Sequence, residues 1–477
     1  MRRAILILTA WLMAAPALAE APKARVAQGV LVGEATERAH IFRNIPFAAA
    51  PVGALRWAPP APAARWSGER DATQNGPSCP QPMNASGAPN SGGANGPTSE
   101  DCLQLNIFAP KAGKKAPVMV WIHGGSHRTG AGWVYDGQAF ARDGIVVVSI
   151  NYRLGALGYI AHPALTKTAG KAPTGNFGLM DQIAALRWVK ANIAAFGGDP
   201  GNVTVFGESA GGMSILALLA TPSAKGLYHK AIVQSGGGWF RPTTLTAREQ
   251  VGAKALSGVG VAEGADAAAL RAMPADKLAA LDGDYGPFTD GRLLRRTPTQ
   301  ALLQGGFDDV PLIIGANSGE DSLMGPDRGG GPEETARRIA FGDRFMVAPA
   351  RWIAAQAAGG KPAWLYHFSY VGTRFRPAIT RAAHAAEIQY VFEYWGRRTP
   401  MSVVSDQDRA MARTLNACWA AFARTGTPRC EPAWPAYDPA RDELLEFGDQ
   451  ITVRQGFRDA DLDRAEAEVL PTLGLGK

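Results

Sequence analysis

The sequence is poor in cysteine, and none of its cysteines are paired in the C-x-x-C spacing of structural zinc sites. Its 477 residues include only four cysteines, Cys79, Cys102, Cys418 and Cys430. The missing spacing excludes the common zinc ribbons and fingers, and we expect no bound metal. An even number of cysteines in an exported chain favours disulfides. The spacings favour pairing Cys79 with Cys102 and Cys418 with Cys430, although other connectivities are possible. Cys418 lies on the apolar face of a predicted helix, so a buried free thiol is the alternative to the second bridge.

The sequence also has no dense block of basic residues, although its formal net charge is +7. Lysine and arginine are scattered along the chain, which is typical of a solvated surface and not of a nucleic-acid interface. We therefore expect no nucleic-acid partner.

Long apolar runs are missing except at the N-terminus, which reads "MRRAILILTAWLMAAPALA". Arg2 and Arg3 precede a short apolar core, and a small-x-small pattern ends at Ala19. This arrangement is typical of a secretory signal peptide, and the apolar core is too short for a comfortable membrane span. We predict a signal peptide over residues 1–19, export to the periplasm or the medium, and no stable membrane anchor.

The rest of the chain shows no internal repeat and no clear linker, so residues 20–477 are predicted to form a single domain. Apolar strand-like runs alternate with helix-like segments, a pattern that indicates a mostly parallel sheet with helices on both faces. The predicted strands are "APVMVWIH" (116–123), "GIVVVSINY" (144–152), "NVTVF" (202–206), "KAIVQSG" (230–236), "VPLIIGA" (310–316) and "AWLYHFSY" (363–370).

The stretch "VFGESAGGM" (205–213) places Ser209 between glycines two residues before and two residues after it. An apolar strand precedes the stretch and a helix-like segment follows it, as a nucleophile elbow requires. Glycines are needed at these two positions because the strand and the helix crowd together around a strained serine. Ser209 is therefore the candidate nucleophile, with the N–H of Ala210 as one oxyanion donor.

A nucleophilic serine needs a base that an acid orients, and both follow the serine in this type of arrangement. Three histidines follow Ser209. His229 and His367 lie at or within predicted strands, whereas His384 lies in a loop, so His384 is the candidate base. Glu320 and Asp321 both follow a predicted strand, and the pattern alone does not choose between them as the acid.

The loop "HGGSHRTG" (123–130) follows another strand and could supply further oxyanion donors. His123 and His127 have the i, i+4 spacing of a helical metal site. The two glycines between them disfavour a helix, so a metal site is not predicted here.

Together these motifs resemble the type-B carboxylesterase/cholinesterase family of α/β-hydrolases. The resemblance covers nearly the whole chain after residue 19. It rests on "IPFAAAPVGALRWAPP" (45–60), "SEDCLQLNIFAP" (99–110), "VWIHGGSHRTG" (120–130), "NYRLGALGYI" (151–160), "GNFGLMDQIAALRWVKANIAAFGGDPGNVTVFGESAGG" (175–212), "HAAEIQYVF" (384–392) and "WPAYDP" (434–439).

The resemblance implies an α/β-hydrolase fold whose insertions form a gorge. It implies Ser209, Glu320 and His384 as the catalytic residues, Gly125 and Ser126 as the remaining oxyanion donors, and Cys79–Cys102 as the family's first disulfide. It also implies two structural ion pairs, Arg56–Glu100 and Arg153–Asp181. The family usually has a third glycine where this chain has Ser126.

The residues expected to line the substrate pocket are His127, Trp133, Glu208 and Trp239. Residues 80–101 contain no aromatic side chain that could hold a choline cation, so a choline ester is not the expected substrate.

From the resemblance and the predicted signal peptide together, we expect a monomeric, cofactor-free, exported serine carboxylesterase acting on small-molecule esters. An amidase, thioesterase or acyltransferase with the same residues is the main alternative, and a non-catalytic binding module of the same fold is a further one.

Overall fold

The structure is a computed structural model that describes residues 20–325, 330–395 and 399–475. The predicted signal peptide, residues 1–19, lies outside the described residues.

The strands, numbered in chain order, are β1 (Lys23–Val26), β2 (Gly29–Val32), β3 (Glu34–Ala35), β4 (His40–Pro46), β5 (Glu69–Asp71), β6 (Gln104–Ala109), β7 (Ala116–Ile122), β8 (Val146–Ile150), β9 (Gly198–Glu208), β10 (Lys230–Gln234), β11 (Leu312–Asn317), β12 (Ala363–Phe368), β13 (Glu443–Phe447) and β14 (Ile451–Gln455).

The helices are α1 (Gln138–Arg142), α2 (Gly155–Tyr159), α3 (Pro163–Ala169), α4 (Phe177–Asn192), α5 (Ala210–Leu219), α6 (Leu245–Ser257), α7 (Ala267–Arg271), α8 (Ala275–Ala279), α9 (Pro298–Gln304), α10 (Gly331–Gly342), α11 (Ala348–Ala357), α12 (Ile388–Val391), α13 (Asp406–Thr425) and α14 (Asp459–Val469). A π-helical turn, Asp343–Val347, joins α10 to α11.

Within the described residues the main sheet has eleven strands in the order β14-β13-β12-β11-β10-β9-β7-β8-β6-β4-β3. The pairs from β8 through β7 and β9 to β13 are parallel, whereas the strands toward both edges pair antiparallel. A small separate sheet contains β1, β2 and β5. The six predicted strand runs correspond to β7 through β12, so the prediction of a mostly parallel sheet is confirmed.

Both faces of the main sheet are buried, as the apolar composition of its central strands requires. In β7 the side chains of Val118, Val120 and Ile122 belong to one core cluster. Met119 and Trp121 belong to another cluster, which includes residues of α1 and α13. Successive side chains of a strand point to opposite faces, so one continuous apolar run supplies both cores.

Because the central strands are parallel, the four loops that follow them all lie on the side of the sheet where these strands end. The carboxyl ends of parallel strands lie along the same edge, which is where open α/β sheets bind ligands. Here β7 leads into Gly124, β9 into Ser209 and β11 into the turn that carries Glu320. β12 leads, through a longer loop, to His384.

Two disulfides and two buried ion pairs stabilise the fold. Cys79–Cys102 and Cys418–Cys430 are both bonded, which are the pairings that the spacing favours. The ion pairs that the resemblance implies are also present: Arg153 binds Asp181 at 2.8 Å, and Arg56 binds Glu100. Within the described residues, no helix combines the length and the apolarity needed to cross a membrane.

Candidate active site

Ser209 lies in a strained turn between β9 and α5. Its φ of 55° and ψ of −123° are rare for a residue with a side chain. Its N–H donates to the carbonyl of Gln234 in β10 at 2.8 Å, and its carbonyl accepts from Met213 at 2.9 Å. The turn is therefore fixed at both ends, and the strain is held by the sheet on one side and by the helix on the other.

The two glycines that flank Ser209 are required by close backbone packing. A Cβ added to Gly211 would overlap the carbonyl oxygen of Ile122, and one added to Gly207 would lie 2.5 Å from the same oxygen. The end of β7 thus presses directly on the turn. This contact explains in atomic terms why the sequence has glycine on both sides of the serine.

His384 and Glu320, predicted as base and acid, contact each other. His384 Nδ1 lies 2.5 Å from Glu320 Oε2. The other carboxylate oxygen of Glu320 accepts from Ser235 Oγ at 2.6 Å and from the N–H of Asn317 at 2.7 Å. The Glu320 side chain is therefore completely buried and held in one orientation, with a single oxygen aimed at the imidazole.

Asp321, the other candidate acid, faces a different set of partners. Its carboxylate binds Arg338 at 2.7 Å and Arg381 at 3.0 Å in buried ion pairs. The 3-10 turn Glu320–Met324 directs the two adjacent side chains in different directions. The structure thus separates two residues that the sequence pattern left equivalent.

A second carboxylate, that of Glu208, lies on the opposite side of the His384 ring. Glu208 Oε1 is 3.0 Å from His384 Nε2, and both side chains are almost fully buried. Burial alone would lower the pKa of His384, but the carboxylates of Glu208 and Glu320 outweigh it and raise the pKa above its ordinary value. Glu208, expected at the pocket wall, therefore also sets the electrostatics of the imidazole.

Three further polar residues beside Glu320 were not predicted as part of the site. Asn317 and Gln234 both donate to the buried carboxylate of Glu387, at 2.6 Å and 3.0 Å, while Ser235 donates to Glu320. Burial raises the pKa of Glu387. Gln234, Ser235 and Asn317 end or follow apolar strands at the edge where the catalytic loops emerge. A polar side chain at that position is the sequence signal that could have identified them.

The loop after β7 packs against the nucleophile turn. A Cβ added to Gly124 would lie 3.1 Å from Ser209 Cβ. Gly125 has a φ of 97°, and its carbonyl accepts from the N–H groups of both Arg128 and Thr129 at 2.9 Å. These contacts place Gly125 and Ser126, the expected oxyanion donors, in a tight turn beside Ser209.

Hydrogen bonds hold the side chains of the other three residues that we expected to line the pocket. His127 is only 1% exposed, and its ring points into the core, where Nε2 lies 3.0 Å from Ser214 Oγ. Trp133 donates to Ser78 Oγ at 2.9 Å, and Trp239 donates to the carbonyl of Arg344 at 2.6 Å. These contacts do not test whether the three residues line the substrate pocket, so that expectation stays a prediction.

A cavity of about 560 Å³ opens beside His384. The described part of its wall is mostly aromatic and aliphatic, and among those described lining residues His384 is the only titratable one apart from tyrosines. It is lined chiefly by side chains from the loops around residues 89–93, 370–379 and 382–394. Tyr370, Tyr390 and Phe392 are among the lining residues, and all three are buried. A cavity of this size and composition fits an uncharged organic group.

Comparison with known proteins gives a consistent result. A model of the Carboxylesterase family matches residues 20–338 and 331–465. The para-nitrobenzyl esterase of Bacillus subtilis (strain 168) is 35% identical over 476 residues, covering 89% of this chain and 94% of that protein. The fumonisin B1 esterase of Sphingopyxis macrogoltabida is 35% identical over 469 residues, covering 87% and 84%.

Solved structures show the same likeness. A structure of a PNB esterase matches with a TM-score of 0.83 at 32% identity, covering 93% of this chain and 99% of that chain. The carboxylesterase of Geobacillus stearothermophilus, solved at pH 6.2, matches with a TM-score of 0.77 at 34% identity and covers 93% and 99%. The α/β-hydrolase fold predicted from the sequence is thereby confirmed.

Proposed function

Because this chain belongs to the carboxylesterase family and is a carboxylic ester hydrolase, we propose that it cleaves esters through an acyl-enzyme on Ser209. The observation that carries the proposal is the 2.5 Å contact between His384 and a fully buried Glu320, at the sheet edge where Ser209 occupies its strained turn. An oriented imidazole that accepts the proton of a serine hydroxyl is what activates this weak nucleophile.

In the first half of the reaction His384 accepts the proton of Ser209 as the hydroxyl oxygen attacks the ester carbonyl. Glu320 holds the imidazole in the tautomer with the proton on Nδ1 and stabilises the imidazolium. The N–H groups of Gly125, Ser126 and Ala210 stabilise the negative oxygen. The imidazolium then gives its proton to the leaving alcohol, and the acyl group stays on Ser209.

In the second half, water attacks the acyl-enzyme with His384 again accepting a proton. The tetrahedral intermediate collapses, the carboxylic acid leaves, and Ser209 regains its proton. The chemistry uses only groups of this chain and water, and the oxyanion donors serve both halves.

The cavity beside His384 supports a substrate with an uncharged, largely apolar organic group. Among the residues that the structure describes, those lining the cavity carry no carboxylate, ammonium or guanidinium group. A charged group there would lose its hydration without gaining a charged partner among these residues. The similarity to a para-nitrobenzyl esterase supports neutral aryl or benzyl esters as the first substrates to test.

Export of the protein is also part of the proposal. Two disulfides within the described residues support an oxidising compartment. The single-domain organisation and the monomeric state stay predictions.

The experiment that tests the mechanism replaces Ser209 with alanine. Ser209→Ala is expected to lower kcat for p-nitrophenyl acetate by at least about 10⁴-fold while circular dichroism shows an intact fold. A fluorophosphonate probe should add to the peptide that contains Ser209 and to no other. Undiminished turnover by the variant, or labelling of a different peptide, would overturn the assignment.

The wild-type protein from that experiment also serves to distinguish the alternative reactions. Matched ester, thioester and amide substrates that share one acyl group would rank the three bond types, because the acyl-enzyme is common to all of them. The proposal expects the ester to have the highest kcat/KM. A higher value for the amide or the thioester would reassign the preferred bond without changing the role of Ser209.

A further inference from the structure

The loop after β7 turns through three consecutive residues with positive φ: Gly125 at 97°, Ser126 at 56° and His127 at 53°. Glycine adopts this region freely, whereas serine and histidine each lose about 1–2 kcal/mol there. A turn of this kind persists only where its surroundings hold it. Since Gly125 and Ser126 are the proposed oxyanion donors, whatever holds the turn also directs their N–H groups.

The side chain of His127 holds the turn from its inner side. Its Nε2 lies 3.0 Å from Ser214 Oγ in α5, and Gln182 in α4 donates to the same hydroxyl at 3.0 Å. A backbone hydrogen bond connects the imidazole to Tyr285, and the ring of Tyr159 packs edge-on at 5.0 Å. One imidazole thus connects the turn to two helices and to the segment around residue 285.

The contact with α5 joins two halves of the oxyanion hole. α5 begins at Ala210, the third proposed donor, and Ser214 lies one helical turn after it on the same side. Gly125 and Ser126 come from the loop after β7. The His127–Ser214 bond is therefore a direct side-chain connection between the segment with two donors and the helix with the third.

We propose that His127 is a positioning residue that sets the loop donors of the oxyanion hole against the helix donor. This inference rests on the proposed function of Ser209. The donors must converge on one point, because each stabilises the developing oxyanion only at hydrogen-bonding distance. Burial lowers the pKa of His127 to about 3, so the ring is neutral and acts through its hydrogen bonds.

Main-chain contacts hold the rest of the loop independently of this imidazole. The carbonyl of His127 accepts from the N–H of Gly155 at 2.7 Å, and Gly125 accepts from Arg128 and Thr129. Replacing the ring therefore leaves the path of the loop bonded while removing its connection to α5. The expected effect is a small displacement of the donors.

The test measures kcat and KM separately in variants of His127. His127→Phe keeps a ring of similar size without nitrogen atoms. It is expected to lower kcat for p-nitrophenyl acetate by about tenfold to a hundredfold, since losing an oxyanion donor outright costs about 10²–10³ and a misplaced one costs less. KM should change by less than about threefold, because the bound ester makes little use of these donors before the carbonyl is attacked.

Two further variants keep the test decisive if His127→Phe folds poorly. His127→Gln retains a polar group that can reach the Ser214 hydroxyl, so its kcat should lie between those of the wild type and the phenylalanine variant. Ser214→Ala breaks the same bond from the other side and should lower kcat in the same way. The loss of kcat in the double variant should be smaller than the two single effects combined, since both substitutions remove the same hydrogen bond.

His367→Phe is the matched control. His367 is also buried, its pKa is lowered to about 3 by burial, and its ring packs against Phe457 at 4.6 Å, away from the loop. The control is expected to lower stability in urea while kcat stays unchanged.

Weaker binding of a trifluoromethyl ketone, which places a negative oxygen in the hole, should accompany the fall in kcat for His127→Phe. If the His127 and Ser214 variants keep wild-type kcat and lose only stability, as the control does, the inference is wrong. Failure of the proposed function is distinguishable, because Ser209→Ala would then remain active whatever the variants of His127 do.

Discussion

The Glu208 carboxylate beside His384 predicts how the pH dependence of the enzyme should change when that charge is removed. Glu208→Gln keeps the size of the side chain and removes a negative charge 3.0 Å from Nε2. The neutral form of His384 is the general base, so kcat/KM rises as the pH passes upward through its pKa. The two carboxylates raise that pKa, and the wild-type midpoint should therefore lie above about 6.5, the ordinary value for histidine.

The size of the effect follows from the distance. Unit charges 3.0 Å apart interact by about 1.4 kcal/mol in bulk water and by about 5.5 kcal/mol at an effective dielectric constant near 20. Since one pKa unit corresponds to about 1.4 kcal/mol, the carboxylate is worth between about one and about four units. The side chains of His384 and Glu208 are only 12% and 4% exposed, so the midpoint in Glu208→Gln should fall by at least about one pH unit.

The assay is kcat/KM for p-nitrophenyl acetate from about pH 5 to about pH 10, with uncatalysed hydrolysis subtracted. In Glu208→Gln the acidic limb should move to lower pH. Its plateau should be lower, because Glu208 also stabilises the imidazolium that forms as Ser209 attacks. Glu69→Gln, in the small N-terminal sheet, removes the same charge far from the site and should leave the profile unchanged. If the limbs of Glu208→Gln and the wild type superimpose, the reasoning about His384 is refuted.

Three other predictions concern the supports of the site. Gly211→Ala places a Cβ against a carbonyl of β7. It should lower the free energy of unfolding, measured in urea, by about 1–3 kcal/mol or more and abolish most turnover. Replacing both Cys79 and Cys102 with serine opens a loop of sequence separation 23 and should cost about 3 kcal/mol, measured by the same unfolding. Asp181→Asn leaves the buried guanidinium of Arg153 without its charge partner and should cost about 3–5 kcal/mol, whereas a loss below about 1 kcal/mol would contradict that view.

The sequence predicted the centre of the fold better than its edges, for a physical reason. β7, β8, β10, β11 and β12, and the second half of β9, are largely buried on both faces, so each reads as a mostly apolar run. β14 at the sheet edge and β1 in the small sheet alternate or are partly exposed, and their short mixed patterns resemble loops. Burial on two faces is what leaves a clear signal.

The residues of the site also fall into two groups, those that a sequence motif identifies and those that only the structure identifies. Motif order pointed to Ser209 and His384, but the choice between Glu320 and Asp321 depends on the direction of two adjacent side chains in a 3-10 turn. The inward orientation of His127 depends on positive φ angles in a loop, which hydrophobic periodicity does not encode. The contact between Glu208 and His384 joins two distant segments. Contacts of this kind can be identified only from the three-dimensional structure.

The parallel arrangement that gathers the site along one sheet edge also determines when the protein becomes active during folding. Gly125, Ser209, Glu320 and His384 follow four different strands, and no short fragment contains them all. Contacts so distant in sequence form slowly, because the loops between them must close first. Esterase activity should therefore return after most of the helical signal during refolding, which makes turnover a sensitive reporter of the last stage of assembly.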